Sequence, residues 1–430
     1  MRRVGAARPK EDDMSEKRNT RVLAILAAVA GLATQNAAGA GFYLAEVGTP
    51  ASLGTGGVAN PTNTGHADAA WTNPAGMTGL EGDSIVAGLQ LVAPKMEFDS
   101  SIATGGGKDG GNAGKTAVIP SFFYVRKLTD ETRFGISLVA PQGGGVDYGS
   151  DFVGRYQTSK ASLAAVGISP SFAYKLSDRL SLGAGISFIY TTFEQNVALN
   201  QGALVPGAPD GKVKIENATD WGYQPFLGLT AQLTDRALLG IVYRAEADVD
   251  LDGDLNFRNL VIPQPAADDI NINWDNPQWL EAGVRYRLSD RNQLFVNAGW
   301  QDWSAFGEKN EISADGRVVT LDRQWDDTWH AGIAFSHVEA ARHGYSVGFS
   351  YESSPVDDKN RTFDLPVDEF YKLSAAYGWK GNRQLDFALG ATLYLVGDAK
   401  IDLTAQGVRA AGEFDSNYVV FLGGSARYRF

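Results

Sequence analysis

Residues 40–80 read AGFYLAEVGTPASLGTGGVANPTNTGHADAAWTNPAGMTGL. The stretch is too apolar for a linker, too often broken by Gly, Pro, Asn and Thr for a helix, and too irregular for a strand. A bare loop of about forty residues is unusual in a compact domain. Such a segment fits better if it folds inside something else, and the chain after it has the marks of an enclosing wall. The expectation is an all-β protein: a transmembrane antiparallel β-barrel of about 14 strands over residues 83–430, with residues 40–82 as an N-terminal plug, or hatch, inside the lumen.

One turn punctuates the wall. Leu128-Thr129-Asp130-Glu131, Leu176-Ser177-Asp178-Arg179, Leu233-Thr234-Asp235-Arg236 and Leu288-Ser289-Asp290-Arg291 repeat it at intervals of 48, 57 and 55 residues. Ser, Thr and Asp side chains bond to nearby backbone and favour turns. Each interval holds two strands, one short turn and one long loop, so turns and loops fall on opposite rims, as in outer-membrane barrels. In 280–288, Leu280, Ala282, Val284, Tyr286 and Leu288 share one face, while Glu281, Gly283, Arg285 and Arg287 share the other. The first face suits lipid and the second a lumen. Glu281, Arg285 and Arg287 are therefore expected to point inward and to pair with each other or with the hatch, because unpaired buried charge is unfavourable.

Strands are expected near 84–97, 117–127, 133–141, 163–176, 180–195, 221–233, 237–249, 278–288, 292–303, 327–337, 344–353, 370–379, 384–395 and 417–430. They make an even number, as single-chain bacterial barrels require. The last ends in Tyr428-Arg429-Phe430, which resembles the signal read by the barrel-assembly machinery.

At the other end, Lys17, Arg18 and Arg21 precede an apolar run, Val22 to Ala33, and then the small residues Ala37 to Ala40. This is the layout of a secretory signal peptide over residues 1–39, with 1–13 as an upstream extension and Met14 as a candidate start. The run is shorter than the roughly 20 residues a spanning helix needs, and no later window reaches that length either. A membrane protein of this kind closes as a barrel. There is no cysteine, so disulfides and thiolate sites are excluded. Residues after 39 carry 31 basic and 46 acidic side chains, which argues against nucleic-acid binding.

Further stretches carry a family resemblance. Ala40-Gly41-Phe42, with Leu44 and Glu46 behind it, is followed by Asn73-Pro74-Ala75-Gly76. Phe152-Val153-Gly154-Arg155-Tyr156, Ser169-Pro170-Ser171-Phe172-Ala173-Tyr174 and Leu182-Gly183-Ala184-Gly185 come later, and Phe430 ends the sequence. Together these resemble the FadL family of outer-membrane transporters for long-chain fatty acids and aromatic hydrocarbons. The resemblance implies a fourteen-stranded barrel with an N-terminal hatch. It also implies capture of ligand outside, transfer to an inner site, and exit sideways through a gap at a kinked third strand. Here that strand runs into Pro141 and Gly143-Gly144-Gly145, residues that interrupt pairing without fixing where a kink lies.

Within the hatch, Pro74 biases Asn73 away from the α region, and Ala75 and Gly76 are small enough to approach the wall. Asn73 can then pin hatch to wall while Gly41, Phe42 and Leu44 stay free to meet ligand. Leu255, Phe257, Leu260 and Ile262 form an unusually apolar long loop, a second candidate substrate contact. Trp274, Trp279, Trp300, Trp303, Trp325 and Trp329 cluster at strand ends and read as an interface girdle.

Other motifs compete. Gly114-Lys115-Thr116 suggests a phosphate loop, but Asp109 stands where the first Gly belongs. Asp248, Asp250 and Asp252 resemble the start of a calcium loop, but position 12 is Asn259 rather than Glu, so no metal site is expected beyond that candidate. His330 would be luminal without an assignable triad, leaving an outer-membrane lipase as the enzyme alternative. The leading expectation is passive uptake of a hydrophobic small molecule, without cofactor, by a monomer in the outer membrane of a Gram-negative bacterium, surrounded by lipid and lipopolysaccharide. A general polar-solute porin is the alternative.

Overall fold

The computed structural model describes residues 49–203, 205–261, 267–309, 311–314, 317–320, 323–339, 342–415 and 417–430. Fourteen strands form the wall: β1 Ser84–Lys95, β2 Ala117–Lys127, β3 Thr132–Asp147, β4 Lys160–Ser177, β5 Leu180–Leu199, β6 Gly211–Gln232, β7 Ala237–Arg244, β8 Trp279–Arg287, β9 Asn292–Gln301, β10 Thr328–Glu339, β11 His343–Glu352, β12 Phe370–Lys380, β13 Leu385–Val396 and β14 Tyr418–Arg429. Each is antiparallel to its neighbours, and β1 closes on β14 from Ser84↔Arg429 to Lys95↔Tyr418. Every wall strand coincides with one expected from alternation.

The repeated turns close as their composition requires. Thr129 Oγ1 accepts from Glu131 N and Thr132 N, Thr234 Oγ1 from Arg236 N and Ala237 N, and Ser289 Oγ from Arg291 N and Asn292 N. The hydroxyl residue, rather than the Asp, makes these bonds. Outward positions carry an apolar band that includes Leu89, Phe172, Tyr223, Leu227, Ile333, Leu373, Leu389 and Leu422, all exposed. A closed sheet with that exterior satisfies its backbone within lipid.

On the long-loop side the chain builds upward. Strands β5 and β6, of 20 and 22 residues, exceed the 9–11 or so needed to cross a bilayer. Segments Asp250–Arg258 and Ala267–Asn273 extend this rim, and Asp99–Ala103, Ile401–Ala405 and Val408–Glu413 form a separate three-stranded sheet.

Inside the barrel, residues 49–80 run as short turns: α1 Pro50–Leu53, a 3-10 turn Asn60–Thr62, α2 Ala69–Thr72 and a second 3-10 turn Pro74–Gly79. No piece is long enough to persist alone. Each is held by the wall.

Candidate functional site

The seat of the hatch is built from glycines and arginines. Gly183 and Gly228, neighbours on β5 and β6, lie under Pro74, and a Cβ on either would collide with it. A Cβ on Gly240 of β7 would overlap Pro61 O, and one on Gly348 of β11 would overlap Thr55 O. Glycine at these luminal positions lets hatch backbone lie directly against the sheet. The hatch carbonyls are then claimed by luminal side chains. Arg133 donates to Leu80 O through Nε at 3.1 Å and Nη2 at 2.8 Å, Arg427 Nη1 to Gly65 O at 2.8 Å, and Thr392 Oγ1 to Leu53 O at 2.6 Å. Arg244 donates to Trp71 O, with its guanidinium 4.5 Å from the Trp71 ring and 4.2 Å from that of Phe226. These bonds satisfy backbone that a loop would otherwise bury unpaired.

Asn73 sits at the centre of this seat and is fully buried. Its Nδ2 donates to Pro61 O at 2.6 Å and across to Leu229 O of β6 at 3.1 Å, and its Oδ1 accepts from Ala75 N at 3.1 Å. Pro74 begins the following turn and Ala75 contacts Gly183. Gly76 packs so closely on Asn63 O that no Cβ fits.

Above the hatch lies an apolar lumen. Leu53 joins Phe193, Trp274, Trp303, Phe306, Trp325, Phe370, Tyr394 and Phe421 in one buried cluster. Trp303 and Phe306 are on α3, Trp303–Lys309. Phe306 stands 4.8 Å from Trp274 and 4.9 Å from Trp325, ring centre to ring centre. Here the girdle expectation is corrected. Trp274, Trp279, Trp303 and Trp325 are buried, whereas Trp329 is 63% exposed on the outer face. For Trp279 the signal was available, because it shares its strand face with Glu281.

The wall itself opens beside this lumen. Pairing between β2 and β3 ends at Phe122↔Leu138. On the other side of β3, the register with β4 jumps from Val139↔Gly167 to Gln142↔Ala165, leaving Ala140 and Pro141 as a bulge. A bridge between Gly114 and Val146 closes the gap at its outer end. The resulting window is roughly 20 Å long, taking about 3.3 Å per strand residue. Its inner rim holds Ile119, packed against the apolar lumen. On its outer side are Phe122, Tyr124 and Leu138, clustered with Ile85 and Ile136. Val139, at the start of the bulge, packs on Trp71 and Met77 of the hatch.

The expected luminal charges divide. Glu281 is buried, accepting from Asn297 Nδ2 at 2.6 Å, and Arg285 Nη1 donates to Thr64 Oγ1 at 3.0 Å and Thr62 O at 3.3 Å in the hatch. Arg287 does neither. It is exposed and donates to Asp235 O at 2.8 Å in the neighbouring turn, because its place at the strand end lies beyond the hatch.

Of the loop residues, Leu255 packs against the apolar lumen, Phe257 is half-buried in the extracellular strand Asp250–Arg258, and Leu260 is half-buried just beyond its end. Gly41, Phe42, Leu44 and Ile262 lie outside the described residues. Asp248, Asp250 and Asp252 do not converge. Asp250 accepts from Asn273 and Asp252 from Asn271, while Asp248 lies with Glu246 and Asp275, their carboxylates within 4.8 Å of one another.

The loop 353–369 caps the lumen through the Arg323–Asp364 pair, 2.8 Å apart and nearly solvent-free. Burial alone would raise the Asp364 carboxyl, but Arg323 with Thr362 and Gln157 more than offsets this and holds it below its ordinary 3.8. A depressed folded-state pKa stabilises the loop above that ordinary value and ceases to do so as pH falls through the lowered one. The tryptophan emission of purified protein is therefore expected to shift red on acidification below about pH 4, and Asp364→Asn to abolish that transition.

The sequence profile described as "Outer membrane protein transport protein (OMPP1/FadL/TodX)" matches residues 29–430. The chain is 23% identical to a long-chain fatty acid transport protein of Escherichia coli O6:H1, over 96% of this chain and 99% of that one. Among solved structures, a Pseudomonas aeruginosa FadL homologue superimposes with a TM-score of 0.82 at 21% identity, covering 91% of this chain and all of that one. The P. putida toluene transporter TodX gives 0.68 at 17% identity, covering 90% and 99%. A fourteen-stranded wall closed by a hatch thus has both its fold and its sequence profile accounted for, and the chain belongs to the OMPP1/FadL/TodX family of outer membrane transport proteins.

Proposed function

We propose that this outer-membrane protein takes up hydrophobic small molecules passively, moving them from the aromatic lumen past the hatch and sideways through the window between β2 and β3. The reading is carried by the loss of β2–β3 pairing beyond Phe122↔Leu138, which leaves a gap with Ile119 of the inner apolar cluster on one side and the Phe122 and Leu138 cluster on the other. A hydrophobic solute gains nothing from a watery pore, and it keeps its favourable surroundings along this route. Long-chain fatty acids and toluene, named for relatives, are the two ligand classes the reading brings to this chain.

The hatch argues against an open porin. Planar-bilayer recordings should show no large steady current, and proteoliposomes should accumulate a hydrophobic probe faster than a sugar of equal mass. A large open conductance in the wild type would overturn the uptake reading. The chemistry is not enzymatic: His330 stands 3.7 Å from Glu281, an ion-pair geometry, in a chain of a transport family.

Two hatch roles belong to this proposal. Asn73 holds the hatch on β6, so Asn73→Ala should remove three hydrogen bonds, each worth about 1 kcal/mol. The variant is expected to assemble, with heat-modifiable gel migration intact, and to lose most uptake. Gly41, Phe42 and Leu44 are assigned to contact with the inner ligand, and deleting 41–44 should change affinity without loss of the barrel. Wild-type uptake in both variants would refute a moving hatch. The C-terminal strand β14 is assigned to recognition by the assembly machinery, lipopolysaccharide to the outer rim, and the active unit to a monomer.

A further inference from the structure

We infer that the apolar lumen selects an uncharged ligand over its carboxylate counterpart; this rests on the reading of the lumen as the ligand's route. The aromatic lining meets a polar cluster on β8–β12. Lys372 Nζ lies 3.1 Å from Glu352 Oε2 and 4.6 Å from the centre of the Tyr394 ring. Gln301 joins the two regions, donating to Glu352 Oε1 at 3.4 Å and accepting from Trp303 Nε1 at 2.9 Å. On the adjoining strands, His330 Nε2 stands 3.7 Å from Glu281 Oε1. Lys372, Glu352 and Glu281 are all buried.

The formal charges of this cluster decide the matter. With His330 neutral, one ammonium faces two carboxylates; with His330 protonated, the four groups sum to zero. With both carboxylates ionised, these four groups carry no net positive charge. Other cations bordering the apolar lumen are likewise engaged among the described residues. Arg323 pairs with Asp364 at 2.8 Å, and Arg361 with Asp368 at 3.1 Å and with Asp358. Arg244, only 1% exposed, is walled by the Trp71, Phe226 and Trp279 rings.

A carboxylate entering this lumen leaves water and needs a cation in return. To obtain Lys372 it must displace Glu352, stranding a second buried carboxylate, and removal of one partner from a buried pair is strongly unfavourable. A hydrocarbon, ester or other neutral apolar molecule asks nothing of the cluster. It needs only the rings of Trp274, Phe306 and Tyr394, which offer faces and edges on several sides.

The test uses purified full-length protein in lipid nanodiscs and compares methyl dodecanoate with dodecanoate at about pH 8, where the acid is ionised. Binding read by tryptophan quenching is expected to favour the ester by at least about tenfold after correction for partition into lipid. Equal or tighter binding of dodecanoate overturns the inference while leaving hydrophobic uptake standing. Glu352→Gln keeps the shape of the side chain and removes one of the carboxylate charges that oppose an anionic ligand, so the ester-to-acid ratio should fall by about tenfold. An unchanged ratio in a folded variant would refute the assignment to this cluster. If Glu352→Gln does not fold, the wild-type comparison decides alone. If neither ligand binds and a sugar permeates freely, the uptake reading fails, and this inference fails with it.

Discussion

Gly240→Leu, alone or with Gly228→Leu, is expected to convert a closed barrel into a steadily conducting one. Both glycines lie on the luminal face of adjacent strands, and the space a Cβ would need is filled by Pro61 O in one case and by Asn73 and Pro74 in the other. A leucine cannot share that space, and the wall cannot retreat because its ladder bonds on both sides fix it: Gly240 is paired with Thr230 and with Gly283. The weaker partner is the hatch, whose short turns depend on wall contacts for their order. Displacing Asn60–Thr62 and Pro74–Gly79 also removes the Asn73 bonds, worth about 1 kcal/mol each. Planar-bilayer recording should show a stable current in the variant and not in the wild type, with heat-modifiable migration reporting an assembled barrel. An assembled double variant that remains closed would mean that the glycine seat does not hold the hatch.

Deleting Pro141 is expected to abolish uptake while leaving a stable, still plugged barrel. Ala140 and Pro141 stand opposite Val166 alone at the register jump between β3 and β4, one residue in excess, and β2–β3 pairing stops two residues before them. Proline has no N–H to give a ladder, so the bulge cannot pair as it stands. Removing one residue makes Val139 and Gln142 second neighbours and keeps them on the face their partners Gly167 and Ala165 share, since side chains repeat every second position. Residues 142–145 would then be in reach of 117–121, and the window would zip shut. Uptake of the hydrophobic probe in proteoliposomes should fall at least about tenfold, with Tm unchanged or higher. Full transport by a deletion variant in which β2 and β3 pair throughout would remove the lateral route. Pro141→Ala should have a smaller effect, because it restores a donor without removing the extra residue.

The two variants act on different closures. The glycine substitutions disturb the plug and admit polar ions, whereas the deletion seals the wall and blocks apolar solutes. Val139 connects them, since it starts the bulge and packs on Trp71 and Met77. Loosening the hatch therefore removes packing from the edge of the window, which couples the two steps of the proposed route through one contact.

What the sequence alone determined was whatever repeats locally. Period-2 alternation located all fourteen strands, because in a one-layer wall between lipid and lumen each residue's face depends only on its parity. The Thr129, Thr234 and Ser289 turns were legible because their bonds span two or three residues. Asn73-Pro74 announced a bend for the same reason. Parity also held Arg285 and Glu281 inward, but Arg287 obeys a boundary that parity does not contain, the depth at which the hatch ends. The seat at Gly183, Gly228, Gly240 and Gly348 needed the structure, because glycine is ordinary in strands until another backbone is found against it. The buried Trp274, Trp303 and Trp325 lie in or beside long loops, where no alternation exists to orient them. The window needed it most of all. Pro141 hinted at an interruption, but an opening is a relation between two strands, and only the fold decides that residues 117–121 and 139–145 face each other without bonding.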